Sequence, residues 1–245
     1  MIITSRQNPI IKQFRNPERD SFVVEGEKLV NEAIEAGFEP VNILLTEKNT
    51  DKFSGIIINN ELSEYISDTK APQGVHALFK RKSLSGLTPL LSQAIILDRV
   101  QDPGNVGAII RSCEAFGIGV ILSENSADVF SSKVIRASAG SVFRTAVQKG
   151  NLAKIIPRLR ESGFIVYTAD LDESAVPLQE AALPPKTAVV IGSEGQGVSE
   201  AVSALCSEKL YIPIKGAESL NAAVAAGIIC YEINNKTNGG KLCQS

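Results

Sequence analysis

Six short apolar runs recur along the C-terminal two thirds of the chain, and helix-length segments separate them. The runs are AIILD, GVILS, SVFRTAV, GFIVYTAD, TAVVIG and KLYIPI. Strands that are apolar throughout are buried on both faces, which requires helices on both sides of a parallel sheet. The pattern predicts an α/β domain with a mainly parallel sheet over residues 94–245, in which residues 234–245 form a polar tail that frays.

The first 82 residues predict a smaller domain of mixed α/β structure. Strand-like runs such as SFVVEG and VHALFK accompany two amphipathic segments, and Gly37 is positioned to end the first helix. The stretch KRKSLSGLTPLLSQ at residues 80–93 is polar and contains Gly86 and Pro89, the composition of an exposed linker. We therefore expect a domain at 1–82, a linker at 83–93 and a second domain at 94–245.

Several classes of protein are disfavoured by simple features. The N-terminus has no apolar signal-peptide core, and no apolar stretch is long enough to span a bilayer, so we expect a cytoplasmic protein that has no membrane partner. The four cysteines form no C-x-x-C pair, which disfavours a disulfide framework or a zinc site. His76 is the only histidine, so a histidine-based triad or metal cluster is not expected.

Charge is unevenly distributed in this acidic chain, whose net charge is −2. Residues 129–160 contain no Asp or Glu but seven cations, and a second basic stretch lies near the N-terminus. A basic stretch is often only a solvated helix face, but two in one acidic protein favour an anionic partner. The candidate RNA-contacting residues are Lys133, Arg136, Arg144, Arg6 and Lys12.

Three loops between strand and helix have residues suited to chemistry. The first, DPGNVGAIIR, predicts a helix that starts near Asn105 as its N-cap, with Gly107 allowing close approach of another backbone and Arg111 projecting beside the loop. An ordinary turn with an exposed arginine is the simpler interpretation of this loop alone. The weight of the first loop therefore depends on the other two.

The second loop, IGSEGQG, contains Gly192 and two further glycines that let a ligand meet backbone amides. It fails the dinucleotide-binding fingerprint because Glu200 stands where the last glycine belongs, which weakens the alternative of a nucleotide-dependent oxidoreductase. Glu194 would repel a pyrophosphate but suits hydroxyl or amine groups. The loop therefore favours a ligand without phosphate.

The third loop, IPIKGAESLN, leads into a long alanine-rich helix. Ser219 is a candidate N-cap for this helix, and Asn221 would project its amide from the first turn. Simple capping above a buried alanine face is the plainer interpretation.

The three loops together carry D-P-G-N-V-G-x-I-I-R, I-G-S-E-G-x-G and I-P-I-x-G-x-x-S-L-N in that order. In this they resemble the SpoU/TrmH family of RNA methyltransferases over residues 94 to 233. The N-terminal part resembles, less specifically, the ribosomal-protein-L30-like substrate-binding domain of many members. The resemblance implies a SPOUT-type sheet with a trefoil knot, S-adenosyl-L-methionine as cofactor, an rRNA or tRNA ribose 2′-hydroxyl as acceptor and a homodimer.

The resemblance also assigns roles to individual residues. It implies catalytic roles for Arg111, Asn105, Glu194, Ser219 and Asn221. It implies cofactor contacts at Thr168, Gly192, Ile212 and Leu220. One departure is that Ala222 and Ala223 replace the Val-Ser common in the family, which removes a hydroxyl near the cofactor.

The family's proposed base corresponds to Arg111, yet a guanidinium is effectively always protonated. A cationic Arg111 that stabilises the developing alkoxide and binds the adjacent phosphate is chemically preferable. The alternative function is a non-catalytic RNA-binding protein that retains the fold. The alanine-rich face at 222–226 is a candidate dimer surface, although it could equally be intrachain core.

Overall fold

The computed structural model describes residues 2–84, 91–170, 172, 174–216 and 219–238. Two sheets with their helices make up this part of the chain. The N-terminal elements are β1 (Ile2–Ile3), α1 (Pro9–Arg15), β2 (Ser21–Glu25), α2 (Glu27–Glu35), β3 (Pro40–Leu45), β4 (Ile56–Ile58), α3 (Asn60–Ile66) and β5 (Val75–Lys80).

The N-terminal sheet has the strand order β1-β4-β3-β5-β2, with β5 antiparallel to both of its neighbours. Helices α1 and α3 cover one face through residues such as Ile11, Phe14 and Leu62. Helix α2 covers the other face and ends as predicted, because Gly37 adopts a φ of 77° and the Phe38 amide donates to the Ala33 carbonyl.

Apart from a short strand at Val176–Pro177, which no apolar run predicts, the C-terminal sheet is built from strands at the predicted runs, with one exception. Its elements are β6 (Gln93–Asp98), α4 (Pro103–Ala115), β7 (Gly119–Ser123), α5 (Ser132–Ala137), β8 (Val147–Gly150), α6 (Leu152–Glu161), β9 (Ile165–Ala169), β10 (Val176–Pro177), β11 (Thr187–Gly192), α7 (Glu200–Ser203), β12 (Glu208–Tyr211) and α8 (Ala222–Asn238). The run SVFRTAV is the exception: it begins as a 3-10 turn at Ser141–Phe143, and the strand starts only at its last residue, Val147.

The seven strands follow the order β10-β12-β9-β11-β6-β7-β8, and every pairing is parallel. Helices α6 and α7 cover one face through residues such as Ile156 and Val202. Helices α4, α5 and α8 cover the other, where the alanines Ala222 and Ala226 are buried. The predicted α/β class with a parallel sheet is therefore confirmed, and these two alanines belong to the intrachain core.

The two sheets share one hydrophobic core. Phe22 from β2 stacks on Phe130 with ring centroids 4.6 Å apart, and Phe38 meets Phe143 edge to face at 5.5 Å. Beside these rings the Arg81 guanidinium donates two hydrogen bonds, of 2.8 and 2.7 Å, to the carboxylate of Asp128. The N-terminal sheet is thus fixed against the loop that precedes α5.

Part of the predicted boundaries falls outside the described residues. Within the predicted linker at 83–93, residues 85–90 lie outside them, and β6 already begins at Gln93. Helix α8 extends to Asn238, so the tail predicted from residue 234 begins inside a helix, while residues 239–245 lie outside the described part. None of the described helices combines the length and the apolar character needed to cross a bilayer.

His76 is packed inside the N-terminal domain, where its Nε2 lies 2.9 Å from the Ser63 hydroxyl. Burial lowers its pKa to about 4, although the charge of Glu25 opposes the shift. The ordinary pKa is about 6.5, so between these values the unfolded chain binds more protons than the folded one. The contribution of neutral His76 to stability is therefore complete above about pH 6.5 and is lost as the pH falls towards 4.

We expect the free energy of unfolding of the wild type to fall by about 2 kcal/mol more than that of His76→Gln between pH 7.5 and pH 5. Urea unfolding of both proteins at the two pH values measures this difference. Because the comparison uses the pH dependence of each protein, a uniform loss of stability in the variant does not obscure it. Equal pH dependence in the two proteins would contradict the assignment.

Candidate functional site

The parallel sheet gathers the three predicted loops at one edge. Strands β6 and β11 are direct neighbours in register, with Asp98 paired to Gly192, and the first and second loops follow these two residues. In the same sheet, β12 pairs with β9, and β9 is separated from β6 by β11 alone. The third loop follows β12. Because carboxyl ends of parallel strands share an edge, residues distant in sequence meet there.

The first loop begins its helix earlier than predicted. Asp102, rather than Asn105, is the N-cap of α4, since the Asp102 carboxylate accepts a 2.7 Å hydrogen bond from the backbone N–H of Asn105. The Asp-Pro pair accounts for this start, because proline suits the first helical position and aspartate the cap. The prediction that Asn105 caps this helix was therefore wrong, and its side chain is free for other contacts.

Gly107 allows the close approach that was predicted for it. A Cβ atom there would lie 2.5 Å from the Cβ of Ala137 and 2.8 Å from the amide nitrogen of Ser138. The end of α5 therefore packs directly on α4, and any larger residue at Gly107 would separate them.

The second loop folds back on its own strand. The Gly197 amide donates a 2.9 Å hydrogen bond to the Ser193 carbonyl, and a Cβ at Gly192 would overlap the Gly197 backbone. The last residue of β6 and the residue that follows it support this loop. Buried Asp98 accepts a 2.8 Å hydrogen bond from the Ser199 amide, and Arg99 donates a 3.0 Å bond to Gln196.

The third loop places Asn221, not Ser219, at the start of α8. The Asn221 side-chain oxygen accepts hydrogen bonds from the amides of Ala223 (2.9 Å) and Val224 (3.3 Å). Ser219 is exposed two residues before this cap. The prediction that Ser219 caps the helix was therefore wrong.

Three polar side chains, one from each loop, form a continuous hydrogen-bonded chain. Asn221 donates through Nδ2 to Oδ1 of Asn105 at 2.9 Å, and Asn105 donates through Nδ2 to the carboxylate of Glu194. The amide of Asn105 thus uses its acceptor towards one loop and its donor towards another. We refer to these three residues as the polar triad.

Arg111 lies on the same helix as Asn105, six residues later. At a rise of about 1.5 Å per residue this separates them by roughly 9 Å along the helix axis. Its side chain is exposed and makes no ion pair or hydrogen bond with any described residue. An uncompensated guanidinium at this position is available to an anionic ligand.

An apolar cleft of about 230 Å³ lies beside the third loop. Its lining comes from the ends of β9 and β12, from the third loop and from the first turn of α8, and comprises Ala169, Asp170, Tyr211, Ile212, Ile214, Ser219, Leu220 and Ala225. The backbones of Ile212 and Leu220 make no hydrogen bond with other described residues. Apolar walls with free backbone groups suit a planar heterocycle such as adenine.

The other predicted cofactor and RNA residues occupy varied environments. Thr168 is buried within β9 and does not line this cleft, whereas its neighbour Ala169 does. Lys133 is exposed on α5, and Arg136 is half buried there without a partner among the described residues. Near the N-terminus, Lys12 is exposed on α1.

Two of the predicted RNA residues are engaged in contacts within the chain. The Arg144 guanidinium pairs with Glu114 and with Glu32, and the hydrogen bond to Glu114 raises its pKa above the ordinary value. The Arg6 guanidinium lies 4.7 Å from the ring centroid of Tyr65.

Sequence reasoning missed the residues that support the second loop. Arg99 adopts a φ of 59°, a conformation that non-glycine residues rarely adopt, and its side chain then reaches Gln196. An acidic residue that ends a buried strand, as Asp98 does, was the available signal for this support. No described group of three or more potential metal-ligating side chains is positioned to hold an ion.

Comparison with known protein families gives two matches along the chain. Residues 92–231 match the model of the SpoU rRNA Methylase family, and residues 8–77 match that of the MRM3-like substrate binding domain. The first match includes all three loops and the polar triad.

Individual relatives match over nearly their whole length. The chain is 32% identical to the 23S rRNA (guanosine(2553)-2′-O)-methyltransferase RlmP of Bacillus subtilis, over 94% of this chain and 98% of that protein. An AdoMet-bound rRNA methyltransferase from Sinorhizobium meliloti superposes with a TM-score of 0.85 at 29% identity, covering 96% and 97% of the two chains. The SpoU methyltransferase AviRb from Streptomyces viridochromogenes, in complex with AdoMet, gives a TM-score of 0.80 at 26% identity, covering 95% and 100%.

The polar triad predicts that stability depends on pairing a donor with an acceptor between residues 105 and 194, which exchanging the two functional groups can test. Asn105→Asp removes the donor towards Glu194 and places two carboxylates together, so we expect a loss on the order of 1 kcal/mol and a Tm lower by a few degrees. Adding Glu194→Gln should recover most of the loss, because the new amide donates to the new carboxylate. Thermal unfolding of both single variants and the double variant checks this; no recovery in the double variant would sink the assignment.

Proposed function

The chain belongs to the SpoU rRNA Methylase family, and we propose that it transfers the methyl group of S-adenosyl-L-methionine to a ribose 2′-hydroxyl of ribosomal RNA. The observation that carries this proposal is the polar triad, which connects the three family motifs beside an apolar cleft. Large-subunit RNA is the proposed substrate because the Bacillus subtilis relative, named for 23S rRNA, matches across both domains. A cytoplasmic location for this reaction is part of the proposal.

The cleft residues fit the cofactor. The walls formed by Ala169, Ile212 and Leu220 are apolar enough for an adenine ring, and the free backbone groups of the latter two can bind its polar edge. At Gly192 only hydrogen fits against the Gly197 backbone, which keeps the second loop compact, but Gly192 itself is not among the residues that line the cleft. When bound, S-adenosyl-L-methionine supplies an electrophilic methyl group.

The chain's own residues must position the hydroxyl and manage its proton. The only histidine, His76, is buried in the N-terminal domain and is no part of this site. A guanidinium is a poor base, so we assign exposed Arg111 the role of stabilising the developing alkoxide and binding the adjacent phosphate. The polar triad holds the first and third loops in fixed positions relative to each other, around the acceptor ribose.

Incubation of the purified protein with radiolabelled S-adenosyl-L-methionine and a 23S rRNA transcript tests the proposal. We expect the label to enter the RNA and to be found in a dinucleotide that resists alkaline hydrolysis. A 2′-O-methyl group blocks cleavage of the phosphodiester bond beside it. Cofactor binding by calorimetry without transfer to this RNA or to total RNA would instead favour the non-catalytic RNA-binding alternative.

Arg111→Lys separates a positioning guanidinium from a simple positive charge. Lysine keeps the charge but loses the bidentate geometry, so we expect methyl transfer to fall at least tenfold while cofactor affinity and Tm stay unchanged. Single-turnover transfer rates, calorimetry and thermal unfolding measure the three quantities. Near-normal transfer by the lysine variant would contradict the assigned role.

A homodimer is the second part of the proposal, and the exposed face of α8 supports it. Val224, Ile228 and Tyr231 are 52%, 38% and 57% exposed and lie along one helical stripe. Phe116 at the end of α4 packs edge to face on Tyr231, which extends the patch towards the helix that contains Arg111. An apolar stripe of this kind is typical of a protein interface.

We expect Ile228→Glu to convert a dimer into a monomer, because a carboxylate in the centre of an apolar interface is desolvated without a partner. Size-exclusion chromatography with light scattering measures the mass of both proteins. Ala153→Glu, which adds the same carboxylate at an exposed position of α6 on the opposite face of the sheet, is the matched control that should remain dimeric. A monomeric wild type, or a dimeric Ile228→Glu, would overturn the assignment of this face.

The trefoil knot implied by the family resemblance is the third part. Superposition on the SpoU methyltransferase AviRb over 95% of this chain supports the same path for the chain after β11. The hydrogen bond from Asn221 back to Asn105 fits a chain that returns to the first loop after β12.

A further inference from the structure

A second cavity, of about 230 Å³, lies in the seam between the two domains and has no role in the site described above. Its walls are α1, the β2 edge, and the loop that leads into α5. The lining residues that matter here are Phe14, Arg15, Val23, His76, Phe130 and Ser132.

The cavity runs along the open edge of the N-terminal sheet. Strand β2 is the last in the order β1-β4-β3-β5-β2, and among the described strands it pairs with β5 alone. On the two sides of β2, the Arg81 amide donates to the Asp20 carbonyl and the Gly26 amide donates to the Val75 carbonyl. The even-numbered residues of β2 are therefore the ones whose N–H and C=O groups bond to β5. Since bonding alternates along an antiparallel strand, the N–H and C=O of Val23 point outward at the cavity.

A buried polar atom in the cavity wall also lacks a partner. His76 is 1% exposed, its Nε2 is engaged with Ser63, and its Nδ1 has no hydrogen-bond partner among the described residues. Because burial lowers its pKa to about 4, the imidazole is neutral at neutral pH. A buried ring nitrogen without a partner is costly, so it is expected to meet a ligand or a water molecule.

The rest of the lining combines aromatic rings with two arginines and with three carboxylates, those of Glu25, Asp68 and Asp128. Phe22 and Phe130 stack at 4.6 Å, and the Arg81 guanidinium lies 5.5 Å from the Phe130 centroid. At the rim, Arg15 pairs loosely with Asp68 at 3.6 Å with its side chain 44% exposed. Rings and guanidinium planes of this kind stack on flat heterocycles.

We propose that this seam cavity receives one unpaired nucleobase of the RNA substrate, stacked against the rings and read by the Val23 backbone and His76. The inference rests on the proposed function, because it takes RNA as the ligand. A peptide strand is the other ligand for an open strand edge, but the cavity is smaller than the range of about 300–1,000 Å³ usual for larger ligands, which favours a single ring.

The test compares short RNAs with and without bases. Fluorescence anisotropy with uridine and adenosine nonamers, each against an abasic nonamer with the same backbone, reports the contribution of the bases alone. We expect the wild-type protein to bind at least one base-containing nonamer about tenfold more tightly than the abasic one. No difference between base-containing and abasic RNA would overturn the proposal.

Ser132 offers a matched pair of variants. Its hydroxyl donates a 2.6 Å hydrogen bond to Asp68 at the cavity wall. Ser132→Leu adds bulk to the cavity and should reduce the tenfold base dependence to less than threefold, with abasic affinity unchanged. Ser132→Ala removes the same hydroxyl without adding bulk and should keep the base dependence; equal base dependence in the leucine variant and the wild type would sink the idea.

A second measurement does not depend on a variant that folds. Photocrosslinking of a 4-thiouridine nonamer to the wild-type protein, followed by peptide mass spectrometry, should give adducts on the α1 and 128–132 peptides that line the cavity. Adducts confined to other peptides would contradict the site. Both measurements report RNA binding and not catalysis. Methyl transfer by a protein whose RNA affinity does not depend on the bases would defeat this inference alone. RNA affinity that depends on the bases, without methyl transfer, would defeat the proposed function alone.

Discussion

The side-chain amide of Asn105 connects the three loops of the candidate site. It accepts from Asn221 and donates to Glu194, and these residues follow three different strands of the parallel sheet. A side-chain amide can do both in one plane, since it has a carbonyl acceptor and an NH₂ donor. The positions of the three loops relative to one another therefore depend on a residue that the helix itself does not need as a cap.

The parallel sheet makes this connection possible, and the shared core makes it stable. Asp98 and Gly192 are register partners, so the first two loops leave the sheet side by side. Behind them, α4 packs on α5 through Gly107, and α5 contacts the N-terminal sheet beside the phenylalanine cluster. The N-terminal and C-terminal parts of the chain are thus joined through a shared hydrophobic core, which connects the seam cavity to the polar triad.

The sequence allowed prediction of the architecture because apolar runs and glycine-rich turns are local signals. It also identified the three loops, whose residues Asn105, Glu194 and Asn221 are the ones that meet. The helix starts at Asp102 and Asn221 were missed because several neighbouring polar residues can cap a helix, and only the backbone geometry decides between them. Arg99 was missed because its left-handed backbone and its reach to Gln196 depend on contacts between strands far apart in sequence.

The central claim is that this fold performs methyl transfer to a ribose hydroxyl of ribosomal RNA. Sequencing-based mapping of 2′-O-methylation across total RNA, in cells with and without this gene, tests it most directly. The account predicts that one site in the large-subunit RNA disappears on deletion and returns when the wild-type gene is restored. An unchanged methylation map after deletion would contradict it.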